Sequence, residues 1–384
     1  MLSETLSLPT VLVHDSLLGF VLTFFTALQP RPREVTHNPN SNTINIQLGS
    51  QPTYQPQTHQ PQTMHLPLLT FGVIADVQYA PIPDGASYSG TPRYYTAALP
   101  SLVAALSNFN TRRCDFVLNL GDSIDGQCPP ADVPKVATAL RDHRLPVHSV
   151  YGNHELYVLS RKEIAAQFGI PMIEEAVSPD ASDEPDLVGY YTKSLPNDYK
   201  FVFVDTYDEC VMGRTGAKLS AATALLSQNN PNFASGEINS PIGLDGVQRR
   251  FVAFNGGVGA RQMRWLEDEL IDARTTNKRV VVSAHQPFHP STGNVMCLPF
   301  NYEELLSLFE EYKDVVVATL SGHTHSGGYH VEPKTGIHHV VFDAILESPP
   351  GTDTHSIVTI FEDEIVLEGF GRQTSRVMKL KKKS

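Results

Sequence analysis

The chain of 384 residues is 41% hydrophobic and carries a formal net charge of −12. It can therefore bury a sizeable core in one large or two ordinary domains, and it offers no general basic surface for nucleic acid. Four widely spaced cysteines, Cys114, Cys128, Cys210 and Cys297, form no CxxC pair, so neither a zinc ribbon nor a disulfide framework is indicated and a reducing compartment, the cytoplasm, fits best.

Residues 1–66 read as an N-terminal extension. SLLGFVLTFFTAL (16–28) is apolar but too short to span a bilayer, and no Lys or Arg precedes it. From Gln29 to Gln62 the composition is rich in Pro, Gln, Asn and Thr, which predicts disorder. A targeting role, or an extension upstream of a functional start at Met64, stays open. From there short apolar runs predict strands at 68–75, 116–120, 147–151, 201–205, 279–284, 315–320 and 338–343, with two more in 355–371. Helical patterns lie between them at 93–108, 131–143, 160–167, 260–274 and 301–312. The alternation specifies an α/β chain without internal repeats, with one catalytic domain over 67–376. The Asn-, Gly- and Pro-rich region at about 207–259 reads as a specificity insertion, and 377–384, ending in KLKKKS, as a basic tail. No stable membrane span is expected, and the chain is read as a monomer.

After nearly every strand the first polar residues are metal-ligand types. FGVIADVQYA (71–80) places Asp76 and Gln78 two apart, where strand geometry would point both to one side. LNLGDSIDG supplies Asp122 and Asp125, VYGNHE supplies Asn153 and His154, VSAHQP supplies His285, and TLSGHTH supplies His323 and His325. Taken singly, these could be turns, a helix N-cap or a satisfied core histidine. The two imidazoles of Gly-His-x-His make a chelate the harder one to dismiss. Together, three carboxylates, two carboxamides and four imidazoles at five strand ends make ligands for two cations, and a mixed O/N set without thiolate suits Mn, Fe or Zn.

The order GD, GNHE, H, GHxH resembles that of calcineurin-like metallophosphoesterases over roughly residues 68–372. Asp-x-Gln in place of Asp-x-His, with RYY (93–95), the stretch 239–270 and NVMCLPFNY (294–302), is similar to one branch, the manganese-dependent ADP-ribose/CDP-alcohol diphosphatases. The resemblance implies a four-layer α/β/β/α sandwich with two central mixed sheets. It also implies two divalent ions, Mn²⁺ before Fe or Zn, one held by Asp76, Gln78, Asp122 and His325, the other by Asp122, Asn153, His285 and His323. His154, oriented by Asp125, would donate a proton to the leaving phosphate or stabilise the transition state, and Tyr79, Arg93, Tyr94, Cys297 and Asn301 would form the substrate pocket. The implied substrates are nucleoside diphosphate conjugates such as ADP-ribose and CDP-alcohols, cleaved to a nucleoside monophosphate. A phosphomonoesterase, phosphodiesterase or protein phosphatase of the same fold is the alternative.

Overall fold

The computed structural model describes residues 66–175, 186–195 and 198–382; residues 1–65 of the expected extension lie outside them. Two six-stranded sheets form the centre. In the first, Leu69–Ile74, Phe116–Asn119 and Val147–Ser149 run parallel, and His355–Ile360, Glu364–Phe370 and Arg376–Lys379 continue from Leu69–Ile74 in antiparallel register. In the second, Tyr199–Phe203, Arg279–Ser283, Val316–Ser321 and His338–Val341 are parallel, edged by antiparallel Tyr191–Leu195 and Gly328–Val331.

The apolar runs are continuous rather than alternating because both faces of these strands are covered. Phe201 and Phe203 point into the interface between the sheets, where Phe201 meets Phe71 and Phe116 edge-on at 5.2 and 5.4 Å. Val202, Val280 and Val282 point the other way, onto Leu266 and Leu270 of the helix Ala260–Thr275 and Leu305 and Phe309 of Tyr302–Glu311. On the outer face of the first sheet lies the helix Ala98–Thr111. Its close approach requires Gly72, where a Cβ would sit 2.5 Å from the Phe109 ring. The layers are thus α/β/β/α, with mixed sheets as expected.

Two segments differ from the sequence reading. Within the region read as irregular, Gly216–Asn229 is a 14-residue helix, whose Ala- and Leu-rich sequence favours one despite the turn-forming residues around it. The region is closed at its base by Glu209–Cys210 pairing with Gly256–Gly257. The lysine-rich end is not a free tail from residue 377: Arg376–Lys379 is a sheet strand, with Met378 and Leu380 buried. Among the described residues no helix is long and apolar enough to cross a membrane.

Candidate metal centre

The site is built at the carboxyl ends of five parallel strands, on the loops that follow them. Strand alternation is not what brings the paired ligands together, however. The first strand ends at Ile74, and Asp76 and Gln78 follow with left-handed φ values of 50° and 43°. Asp122, His323 and His325 share this conformation at 53°, 69° and 61°. Each costs a non-glycine residue about 1–2 kcal/mol, so surrounding contacts must hold it. Asp76 N–H donates to Gly121 O at 3.2 Å and Gln78 N–H to Asp122 O at 2.8 Å, which joins the first two loops. The carboxylate of Glu155, from GNHE, accepts the N–H groups of Asp122 (3.1 Å) and Ser123. Glycines ahead of the ligands allow the loops to close: a Cβ on Gly152 would overlap the Asp122 carboxylate, and one on Gly322 would lie 2.5 Å from Asp76 Oδ2.

The donors gather into two triads that share Asp122: Asp76, Asp122 and His325, and Asp122, His285 and His323. The two imidazoles of GHTH therefore serve different positions and do not chelate together. His325 Nε2 stands 3.5 Å from Asp76 Oδ1, His285 Nε2 3.3 Å from Asp122 Oδ2, and His323 Nδ1 3.0 Å from His285 Nε2. The opposite nitrogen of each ring is anchored: His285 Nδ1 on Leu120 O (2.7 Å), His323 Nε2 on Asn255 Oδ1 (3.0 Å), His325 Nδ1 on Glu347 Oε1 (2.9 Å). Those anchors hold a proton on the outer nitrogen of each ring and turn the other nitrogen to the centre, where it can donate to a cation that displaces any proton there.

These residues fit a pair of divalent cations. Gln78 Oε1 is buried without a hydrogen-bond partner, while its Nε2 lies 2.9 Å from Asp122 Oδ2 and 3.1 Å from His325 Nε2, a spot where acceptors converge. Turning the amide over presents the oxygen to that spot. The electrostatics agree. Burial opposes ionisation of Asp122, yet His285 and His154 hold it far below the usual carboxylate range. Burial likewise opposes charge on His285, but the Asp122 carboxylate pushes it up to about 9. His323, buried beside His285, is driven well below the ordinary histidine value. The centre thus calls for positive charge and crowds the protons that supply it.

Asn153 is buried at the same centre, its Oδ1 accepting from Tyr207 OH at 3.1 Å with a second lone pair left over. His154 Nδ1 lies 3.1 Å from Asp125 Oδ2 and 3.0 Å from Gly126 N–H. The charge-assisted bond to the carboxylate is the stronger, which places a proton on Nδ1. Burial lowers the His154 pKa, but Asp122 and Asp125 outweigh it and the net shift is upward. Above these residues opens a cleft of about 580 Å³. Arg93 and Cys297, expected in the pocket, line it. Burial pushes the Cys297 thiol up to about 12, so it forms a neutral wall. Tyr79, Tyr94 and Asn301 are not among the lining residues. Tyr79 is buried against Ile124 through a backbone bridge, Tyr94 N–H is tied to Leu346 O, and the Asn301 amide holds Val258 N and O. The sequence reading assigned no role to Arg249, Phe254 and Glu347 of the cleft wall, or to Asn255 and Glu155 behind the ligands. Arg249, Phe254 and Asn255 fall in the 239–270 stretch that carries the branch resemblance.

The family model for calcineurin-like phosphoesterases matches residues 69–327. The chain belongs to the calcineurin-like phosphoesterase family. This phosphoesterase is 37% identical over 319 residues to a manganese-dependent ADP-ribose/CDP-alcohol diphosphatase of Oryza sativa subsp. japonica, covering 81% of this chain and 94% of the relative. The similarly named protein of Homo sapiens is 34% identical over 329 residues, covering 82% and 94%. Among solved structures, a dimetal phosphatase from Danio rerio superposes with a TM-score of 0.74 at 30% identity, covering 82% of this phosphoesterase and 100% of that chain.

Proposed function

We propose that the protein hydrolyses the pyrophosphate bond of nucleoside diphosphate conjugates such as ADP-ribose and CDP-alcohols in a manganese-dependent reaction. The observation that carries this reading is the pair of triads sharing Asp122 beneath a cleft walled by Arg93, Arg249 and the Phe254 ring: a place for two phosphates beside an aromatic surface. Asp76, Gln78, Asp122 and His325 would hold one cation, and Asp122, Asn153, His285 and His323 the other. When bound, two divalent cations supply Lewis acidity at the phosphate oxygens and lower the pKa of the attacking water. The chain's own groups do the rest. Arg93 and Arg249 counter the charge of the diphosphate, and Phe254 offers its face to the nucleoside. His154, held by Asp125, donates a proton to the leaving phosphate as the phosphorus–oxygen bond breaks. ADP-ribose would give AMP and ribose 5-phosphate, and a CDP-alcohol would give CMP and the phosphoalcohol. Four unpaired, buried cysteines support action in the reducing cytoplasm.

The test is turnover of ADP-ribose, a CDP-alcohol, a simple aryl phosphate and a phosphodiester with Mn²⁺ and with Mg²⁺. Diphosphate conjugates should lead, with Mn²⁺ the better activator. Faster turnover of the aryl phosphate or the phosphodiester would transfer the reading to the monoesterase or diesterase alternative.

A further inference from the structure

The three imidazoles that face the centre differ in what anchors them. His285 leans on a backbone carbonyl and His323 on a neutral carboxamide, but His325 leans on the carboxylate of Glu347. His325 also belongs to the triad beside Gln78, whose carboxamide is a weaker donor than an imidazole. The anionic anchor therefore stands behind the position that has the weaker ligand.

Glu347 is placed firmly. The backbone leading to it is hydrogen-bonded to both ligand loops: Ala344 N–H to His325 O at 3.1 Å, Ile345 N–H to Ala75 O at 3.2 Å, and Leu346 N–H to Asp76 O at 3.1 Å. Its side chain is 6% exposed. Arg93 Nε and Arg372 Nη1 flank the carboxylate at 3.8 and 3.7 Å, beyond direct hydrogen-bond range, so the short contact of Oε1 is the one to His325.

We propose that Glu347 is a positioning residue that makes His325 the strong donor of the Gln78-containing site, and so sets the affinity of that cation. A hydrogen bond to a carboxylate shifts electron density onto the imidazole and fixes its plane, and loss of such a partner typically weakens metal binding by 10–100-fold. The proposal rests on the dimetal reading above. Its test is an equilibrium Mn²⁺ titration, followed by the electron paramagnetic resonance signal of free Mn²⁺, of the full chain and of Glu347→Gln and Glu347→Ala. Glu347→Gln keeps an acceptor for Nδ1–H but removes the charge. One of two Mn²⁺ should bind about 10-fold or more weakly and the other as before, with the thermal midpoint of the metal-free protein unchanged. Glu347→Ala should weaken the same cation further. Unchanged affinity at both sites in Glu347→Gln overturns the proposal, as does equal weakening of both with a lowered midpoint, which would mark a purely structural role. Wild-type protein that takes up fewer than two Mn²⁺ overturns the dimetal reading and this proposal with it.

Discussion

Replacing Gly322 with alanine measures how tightly the Asp76 carboxylate is seated. The new Cβ would lie 2.5 Å from Asp76 Oδ2 and 3.1 Å from Ala75 Cβ, where ordinary contact begins at 3.4 Å. The carboxylate must therefore withdraw by about 0.9 Å. It cannot do so freely, because both of its oxygens accept the His323 N–H, at 3.1 and 3.0 Å, and Asp76 is fully buried. Gly322 is not among the positive-φ glycines, so the substitution adds bulk without backbone strain. Overpacking of this kind costs about 1–3 kcal/mol. A displacement near 1 Å at a catalytic centre lowers turnover by about 10²-fold. Gly322→Ala should lower kcat/KM for ADP-ribose by about that factor and weaken one Mn²⁺, with a thermal midpoint lower by several degrees. Metal content and kcat/KM within threefold of wild type would show that the loop relaxes at little cost, and the close approach would lose its significance.

Gln78→His restores an imidazole beside the unpartnered acceptor position, so it should tighten metal retention and reduce the need for added Mn²⁺ relative to Zn²⁺; identical Mn²⁺ and Zn²⁺ activation curves would mean that residue 78 does not touch a metal. His154→Ala should lower kcat by roughly 10²–10⁴ with metal stoichiometry intact, and loss of a metal by elemental analysis would make His154 a ligand instead. Burial holds the His148 pKa down to about 4, between the rings of Phe116 and Phe203. The unfolded chain binds this proton near pH 6.5 and the folded chain does not, so stability present above pH 6.5 is lost as pH falls toward 4, by about 2 kcal/mol after allowing for its partial exposure. Urea unfolding at pH 7 and pH 4.5 should show a smaller loss in His148→Phe than in wild type, and equal losses would place the acid sensitivity elsewhere.

The α/β alternation and the ligand types were legible in the sequence because buried parallel strands are apolar end to end, and a polar residue that closes such a run stands out. Asp76, Asp122, Asn153, His285, His323 and His325 all announce themselves in this way. The helix Gly216–Asn229 did not, since its Ala- and Leu-rich sequence is bracketed by turn-forming residues. The strand Arg376–Lys379 was masked by the lysines that follow it.

By itself the sequence determined which donors stand at which strand ends, since that follows from the local change from apolar to polar residues along the chain. Only the tertiary structure decided how they are shared out. His323 and His325 part company to different triads, and Asp76 and Gln78 are aimed by left-handed backbone rather than by strand alternation. Asn301 holds a loop while Arg249 and Phe254 line the cleft. The physical reason is distance along the chain. Asp76 is positioned by a backbone N–H 247 residues away, and each imidazole's tautomer is settled by an acceptor on another loop or segment. Contacts of that range arise only when the two sheets have packed and brought their loop ends to one rim.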